Sequence, residues 1–130
     1  MEEVAGTILV GDSFDPVSGR VVVEDGRIAA VEEAATGSTD IVVPAFVNAH
    51  THLGDSVAKE AGVGLSLDDA VAPPNSLKHR RLAAADREES VTAMRRTLRF
   101  MHRTGTTRCL DFRESGPAGA RALREAGQSV

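Results

Sequence analysis

Two histidines one residue apart, His50 and His52, follow an apolar segment that begins at Pro44 and precede a chain-breaking residue, Gly54. Side chains of a β-strand point alternately to its two faces, so two histidines in this spacing share one face. Two neutral imidazoles on one face, at the end of a buried strand, form half of a metal site. The pattern predicts that His50 and His52 bind a metal ion; a purely structural pair is the alternative.

The composition is that of a globular protein with a single core. The chain has 130 residues, of which 42% are hydrophobic and 26% charged, and a domain of about 150 residues buries about two-thirds of its unfolded surface. The net charge is −4, without a block of like charge. Four Phe and no Tyr or Trp provide no platform for stacking bases. We therefore expect no nucleic-acid partner.

The sequence also argues against a membrane or secreted protein. Its longest apolar run, 41–47, is far shorter than the roughly 20 residues that span a bilayer. The N-terminus, Met-Glu-Glu, lacks the basic start of a signal peptide. A single cysteine, Cys109, excludes an internal disulfide. These features predict a cytoplasmic protein.

The first third of the chain predicts β-strands at 7–10, 20–24, 27–31 and 41–43, with a turn-rich segment at 14–19. Asp25-Gly26 lies between two of these strands. A type I′ turn needs positive φ at both central residues, which favours Asp-Gly, so the sequence predicts a hairpin here.

The remainder predicts alternating strands and helices. A strand at 44–52 leads into a long connection, 55–85, with a short helix that begins at Ser66. A longer helix begins at Asp86 and ends before Gly105. A strand at 106–112 and a helix from Pro117 to Gly127 follow. The order predicts two successive β/α units and hence an α/β fold with parallel strands.

Several side chains near the strand ends and in the long connection are candidates for a substrate pocket. Asp111 could orient metal ligands from outside the coordination sphere, or form an ion pair with an arginine. We predict that His102, on a polar helix face, lies outside the site, and that Cys109 is a small buried residue. The pocket candidates are Asp55, Lys59, His79, Asp111, Arg113 and Glu114.

Three segments together resemble the amidohydrolase superfamily. Pro44-Ala-Phe-Val-Asn-Ala-His-Thr-His52 is similar to the first barrel strand of these enzymes, which include cytosine deaminases, imidazolonepropionases, dihydroorotases and chlorohydrolase-type proteins. The segment 23–31 resembles a hairpin of the small β-sandwich that precedes their barrel, and Thr104-Gly-Thr-Thr107 resembles the entry into their second strand. The likeness is greatest to poorly characterised archaeal members.

The resemblance implies a fold and a cofactor. Residues 1–43 would be strands of the β-sandwich, and residues 44–130 the first two β/α units of a TIM (β/α)8 barrel. His50 and His52 would bind a divalent metal, zinc in most members and iron or manganese in others, that activates water for attack on an amide, amidine or ring C–N carbon.

The resemblance also implies that this chain is a portion of such an enzyme. A complete barrel takes about 250 residues, so we expect an incomplete barrel that lacks the later metal ligands and the catalytic aspartate, and no catalytic residue within the chain. We expect an N-terminal portion of a hydrolase of non-peptide C–N bonds, inactive alone, that pairs with a C-terminal part or with its own copies and acts on a small molecule.

Two alternatives remain at this point. One is a non-enzymatic binding or oligomerising domain that retains a remnant His-x-His. The other is a metal phosphoesterase with an Asp-x-His-x-His strand. The β-rich start of the chain and Asn48, at the place where that pattern needs an acid, argue against the phosphoesterase.

Overall fold

The computed structural model describes residues 1–128 and 130 as two compact units, Met1–Ala45 and Phe46–Val130. The first unit is built of strands, and the second combines parallel strands with helices. The mixed α/β character predicted from the sequence is therefore confirmed. The division falls after Ala45, where the sequence had placed it after Val43.

The first unit contains a four-stranded sheet in the order β3-β2-β1-β4. Strand β2 pairs antiparallel with both β1 and β3, and β4 pairs parallel with β1. Ile8, Val21 and Val22 form its buried apolar side chains. The strands are β1 (Glu2–Val10), β2 (Asp15–Glu24), β3 (Arg27–Glu33) and β4 (Ile41–Val42).

The predicted hairpin is confirmed, whereas the prediction of a turn-rich segment at 14–19 is wrong. Asp25 and Gly26 have φ of 49° and 72° between β2 and β3, as a type I′ turn requires. Residues 15–19 instead extend β2, since they pair with the end of β1. Pairing with a neighbouring strand outweighs the local turn preference of Pro16 and Gly19. Gly19 also allows close approach of the backbone at Glu32.

The second unit contains two parallel strands, β5 and β6. The helices within 52–105 join them, and one more helix follows β6. Their predicted parallel pairing is confirmed. The elements are β5 (Phe46–Thr51), a 3-10 helix (Leu53–Ala58), α1 (Leu67–Val71), α2 (Leu77–Ala84), α3 (Arg87–Arg103), β6 (Thr106–Asp111) and α4 (Gly116–Gly127).

Helix starts follow the predicted caps. The Asp86 carboxylate accepts a hydrogen bond from the Glu89 backbone at 2.8 Å, and the Ser66 hydroxyl accepts one from Asp69 at 3.1 Å. Gly105 ends α3 with φ of 88°, a left-handed conformation that glycine adopts readily. Helix α2 was not predicted; it lies within the long connection, which is thus largely helical.

The core of the second unit lies between the sheet, the 3-10 helix, α3 and α4. Leu53, Val91, Met94, Ala122 and Ala126 are buried together, and Cys109 of β6 packs against them. Four apolar side chains of the strand region, in contrast, are 48–64% exposed: Phe46, Val47, Leu110 and Phe112. Throughout the described part of the chain, no helix is long and apolar enough to cross a membrane.

Candidate metal centre

The two histidines lie at the carboxyl end of β5. His50 belongs to the strand, and His52 follows its last residue, at the N-cap position of the 3-10 helix. Thr51 between them is buried, and its hydroxyl donates to the Leu110 carbonyl of β6 at 3.0 Å. The backbone N–H of His50 donates to the Asn48 side chain at 3.1 Å. These bonds fix the strand end, so both imidazoles emerge on the same side.

The two rings present their Nε2 atoms to each other at 3.1 Å. Metal–nitrogen bonds of about 2.0–2.1 Å place two ligand nitrogens about 2.9 Å apart at a right angle and about 3.3 Å apart at a tetrahedral angle. The observed separation lies between these values. The donor type and the spacing therefore fit a shared divalent ion.

Phe112, one residue beyond β6, packs against both imidazoles. Its ring centroid lies 4.5 Å from that of His50 and 5.6 Å from that of His52. An apolar neighbour of this kind restricts the rotation of the rings and lowers the polarity beside the nitrogens.

Asp111 and Arg113 form a nearly buried framework below the histidines. The Asp111 side chain is 5% exposed and lies 3.1 Å from the Arg113 guanidinium. Its other oxygen accepts hydrogen bonds from the Leu53 backbone at 2.6 Å and from the Thr51 hydroxyl at 3.2 Å. Arg113 also donates to the Met94 sulfur at 3.2 Å. This framework joins the ends of β5 and β6 to α3.

Glu114 lies between β6 and α4, beside His52. Ser115, which precedes α4, has φ of 62°, and Gly116 has φ of 49°. Gly54 lies directly beneath the Arg113–Glu114 pair, since a Cβ added there would come within 2.8 Å of Glu114 Oε2. The Glu114 carboxylate lies 3.6 Å from His52 Nδ1 and 2.9 Å from an Arg113 nitrogen.

Lys78 of α2 connects this carboxylate to Asp55 of the 3-10 helix. Its ammonium lies 2.9 Å from Glu114 and 3.0 Å from Asp55, and its side chain is only 17% exposed. Desolvation lowers the pKa of Lys78, but the hydrogen bonds and charges of the two carboxylates outweigh it, so the pKa lies above its ordinary value. We call Lys78, Asp55 and Glu114 the ion cluster.

The pKa of Glu114 shifts in the opposite direction. Partial burial raises it, but the hydrogen bond from Lys78, the backbone amide and the charges of Lys78 and Arg113 together lower the pKa below its ordinary value. Glu114 is therefore a carboxylate at neutral pH and can only accept hydrogen bonds.

His52, Asp55 and Glu114 also form a group whose ligand atoms lie within 4.8 Å of one another. A second cation would compete there with the Lys78 ammonium, which already contacts both carboxylates. The Lys78 ammonium thus already balances the charge of these two carboxylates, and the ion cluster lies beside His52.

Two other pocket candidates, Lys59 and His79, contact other side chains. Lys59 extends over the Phe100 ring, 5.3 Å from its centroid. His79 Nδ1 is 2.7 Å from the hydroxyl of buried Ser76. His102 is exposed near the end of α3. Asp55, Lys59 and Lys78 line a cavity of about 400 Å³ that is otherwise mainly apolar.

Sequence reasoning missed Lys78. The residue lies within Lys78-His-Arg-Arg81, a basic run typical of a solvated surface. The sequence did contain a signal for the helix that carries Lys78. Ser76 is a residue type typical of helix starts, and the eight residues after it include no Gly or Pro.

Comparison with known proteins gives consistent findings. The sequence model of the amidohydrolase family matches residues 41–130. A protein from Methanothermobacter thermautotrophicus, provisionally named an aminohydrolase, is 44% identical over 93% of the chain. One from Archaeoglobus fulgidus with the same provisional name is 37% identical over 95%, and an uncharacterised protein from Methanocaldococcus jannaschii is 33% identical over 91%. The chain spans about a third of the length of each relative: 33%, 36% and 32%.

Proposed function

Because the chain belongs to the amidohydrolase family, we propose that it supplies the first metal ligands of a metal-dependent hydrolase of non-peptide C–N bonds, by cyclic amide hydrolysis or deamination. The observation that carries the proposal is the 3.1 Å separation of the His50 and His52 Nε2 atoms at the carboxyl end of β5. Zinc is the proposed ion, with iron and manganese as alternatives, since imidazole suits all three.

We propose further that β5 and β6 are the first two strands of a TIM barrel, and that the sheet of the first unit belongs to a β-sandwich. The parallel pairing of β5 and β6 supports the barrel. So does the position of the histidines and of Asp111 at carboxyl ends of strands, where barrel enzymes place their chemistry.

The residues of this chain would hold and orient the ion. When bound, a divalent ion supplies Lewis acidity and activates water. His50 and His52 would bind it through Nε2, and the Glu114 carboxylate, 3.6 Å from His52 Nδ1, would orient the His52 ring by its charge. A catalytic zinc has three protein ligands in most enzymes, so we propose that the others, and the catalytic aspartate, come from segments outside these 130 residues.

The exposed apolar side chains of the strands suggest how such segments would join. Phe46, Val47 and Leu110 lie on an open two-stranded sheet and Phe112 directly follows it, and unpaired apolar strands favour association. We propose that further barrel strands cover them, which the greater length of the relatives supports. A second copy of the chain is the alternative occupant.

The proposed substrate is a small molecule. The cavity beside the ion cluster has a mainly apolar wall, with Asp55 and Lys78 at one side. A pocket of this kind suits a compact, partly apolar ring with a few polar atoms. Asp55 and Lys59 are the proposed substrate-facing residues of the long connection.

Zinc titration of the purified chain tests the metal site. We expect weak binding that is at least tenfold weaker in His50→Ala and in His52→Ala, because each removes one of two ligands. His102→Ala, which removes a histidine distant from the pair, is the matched control. Equal losses in all three variants would indicate adventitious surface binding and contradict the proposed site.

Turnover tests the reaction. We expect the 130-residue chain alone to hydrolyse neither cyclic amides nor aminopurines and aminopyrimidines. A chimera in which this chain replaces the aligned third of the Methanothermobacter relative should release ammonia or open a ring, and His52→Ala in the chimera should abolish it. A chimera that binds zinc and turns over nothing in the panel would contradict the proposed reaction class.

A further inference from the structure

We propose that Lys78 is a positioning residue for the metal site: through Glu114 it fixes the orientation and tautomer of His52. This inference rests on the proposed function, since it concerns the same histidine pair. The inference gives a role to helix α2 of the long connection, which lies outside the histidine motif.

Short contacts lead from Lys78 to the histidine pair, with the step between Glu114 and His52 at ion-pair distance and not at hydrogen-bond distance. Lys78 Nζ lies 2.9 Å from Glu114 Oε1, and the same oxygen lies 3.6 Å from His52 Nδ1. His52 Nε2 in turn lies 3.1 Å from His50 Nε2. One carboxylate oxygen therefore lies between Lys78 and His52, and His50 is reached only through its contact with His52.

The chemistry of these groups determines which ring nitrogen of His52 carries the proton. An ionised carboxylate accepts hydrogen bonds, so an oxygen beside Nδ1 favours the tautomer with the proton on Nδ1. That tautomer leaves the Nε2 lone pair free for a metal. Partners of this kind orient ligating histidines, and their loss weakens metal binding about 10- to 100-fold.

The two oxygens of the Glu114 carboxylate have different partners. Arg113 Nη2 holds Oε2 at 2.9 Å, and Lys78 holds Oε1. Without Lys78, the carboxylate keeps its Arg113 contact but Oε1 can turn towards water. The orientation of the oxygen beside His52 therefore depends on Lys78 more than on Arg113.

Lys78 is itself held in place from two sides. Asp55, three residues beyond His52, lies 3.0 Å from the ammonium, so the lysine spans the 3-10 helix and the loop after β6. The start of α2 is fixed by the contact between Ser76 Oγ and His79 Nδ1 at 2.7 Å. An ammonium with two carboxylate partners and a covered stem is positioned, not a freely moving surface charge.

The experiment measures the His52 tautomer directly. The chain is labelled with nitrogen-15 at histidine, and long-range proton–nitrogen NMR spectra at pH 8, without metal, report which ring nitrogen carries the proton. Zinc affinity is measured on the same samples. The variants are Lys78→Met, which keeps the apolar stem, Glu114→Gln, and Arg80→Met as a control on the same helix.

We expect Lys78→Met to shift His52 towards the tautomer protonated on Nε2 and to weaken zinc binding about 10-fold or more. Glu114→Gln, whose neutral amide oxygen is a weaker acceptor, should change both in the same direction but less, and it serves as the second variant if Lys78→Met unfolds the chain. Lys78→Arg, which retains the charge, should restore the tautomer in part. Arg80→Met, whose guanidinium contacts only the Asn75 carbonyl in the described contacts, should change neither.

Unchanged tautomer and zinc affinity in folded Lys78→Met would overturn the inference, as would a loss in Arg80→Met of the same size. Failure of the proposed function gives a different result: His52→Ala would then leave zinc binding intact. Intact binding in His52→Ala refutes the metal site, whereas lost binding in His52→Ala with unchanged Lys78→Met refutes the role of Lys78 alone.

Discussion

The Asp111–Arg113 framework and the ion cluster are neighbouring groups of charges with different surroundings. Asp111 is 5% and Arg113 15% exposed, and Asp111 also binds the backbone of Leu53. Glu114 and Asp55, at 30% and 33%, contact a lysine from a connecting helix. The framework holds two strand ends together, whereas the cluster lies beside the histidine nitrogens.

Burial and backbone partners separate the two groups. A buried ion pair that loses one member leaves an uncompensated charge, and its removal destabilises a protein strongly. Partly exposed pairs contribute little to stability. The comparison therefore predicts that substitutions in the framework act on folding, while substitutions in the ion cluster act on the metal site.

The largest expected effect is that of Asp111→Ala. It leaves Arg113 buried without its partner and removes the acceptor of the Leu53 amide, so the free energy of unfolding should fall by about 3–5 kcal/mol. Urea unfolding followed by circular dichroism measures this. Asp111→Asn, which can still accept the Leu53 bond, should cost less; equal losses would show that the backbone bond is unimportant.

Gly54→Ala should have the next largest effect. Its Cβ would lie within 2.8 Å of Glu114 Oε2, so the Arg113–Glu114 pair must shift, at a cost of about 1–3 kcal/mol. Gly62→Ala is the matched control, because its Cβ would meet Ala70 at an ordinary 3.7 Å. Similar melting temperatures for both variants would contradict close packing at Gly54.

Lys78→Met should lower the free energy of unfolding by less than about 1 kcal/mol, although we expect it to weaken zinc binding. The same urea titration measures it beside Asp111→Ala. A loss as large as that of Asp111→Ala would make the ion cluster part of the framework and remove the distinction between the two groups.

The smallest effect is a pH dependence from Glu114 and Lys78. The lowered pKa of Glu114 stabilises the folded chain above the ordinary carboxyl pKa, about 4.3, and this is lost as the pH falls through the folded value. The raised pKa of Lys78 stabilises the folded chain at pH values below the ordinary lysine pKa, about 10.4. This stabilisation is lost as the pH rises through the pKa of the folded state.

Glu114→Gln should therefore flatten the acid side of a plot of unfolding free energy against pH and leave the plateau between about pH 5 and 10 level. Urea midpoints at a series of pH values measure both. Glu60→Gln, at an exposed position in the connection, is the control and should leave the acid side unchanged.

Local signals predicted the elements whose ends depend on nearby residues. The Asp25-Gly26 turn, the Asp86 cap and Gly105 each act within a few residues, so the hairpin and α3 could be placed from the sequence. Residues 15–19 could not, because their strand conformation depends on pairing with β1. Helix α2 was missed since its sequence is polar and lies after Pro73-Pro74.

In the candidate site, too, features that depend on nearby residues could be predicted, whereas contacts between distant residues could not. Strand periodicity placed His50 and His52 on one side, and the facing nitrogens agree with it. The position of Glu114 beside His52 depends on how the loop after β6 lies against the end of β5, which local sequence patterns do not show. The contact of Lys78 with Glu114 joins residues 36 positions apart, and spacing along a chain carries no information on such a contact.

The Phe112 ring also makes the histidine pair observable. Its centroid lies 4.5 Å and 5.6 Å from those of His50 and His52, close enough for its ring current to displace their proton resonances. The chain contains no Trp or Tyr and only four Phe, so few other aromatic rings contribute apart from the two imidazoles themselves, whose centroids lie 5.1 Å apart. The chemical shifts of the imidazole protons of His50 and His52 therefore report how the two rings rotate when an ion binds.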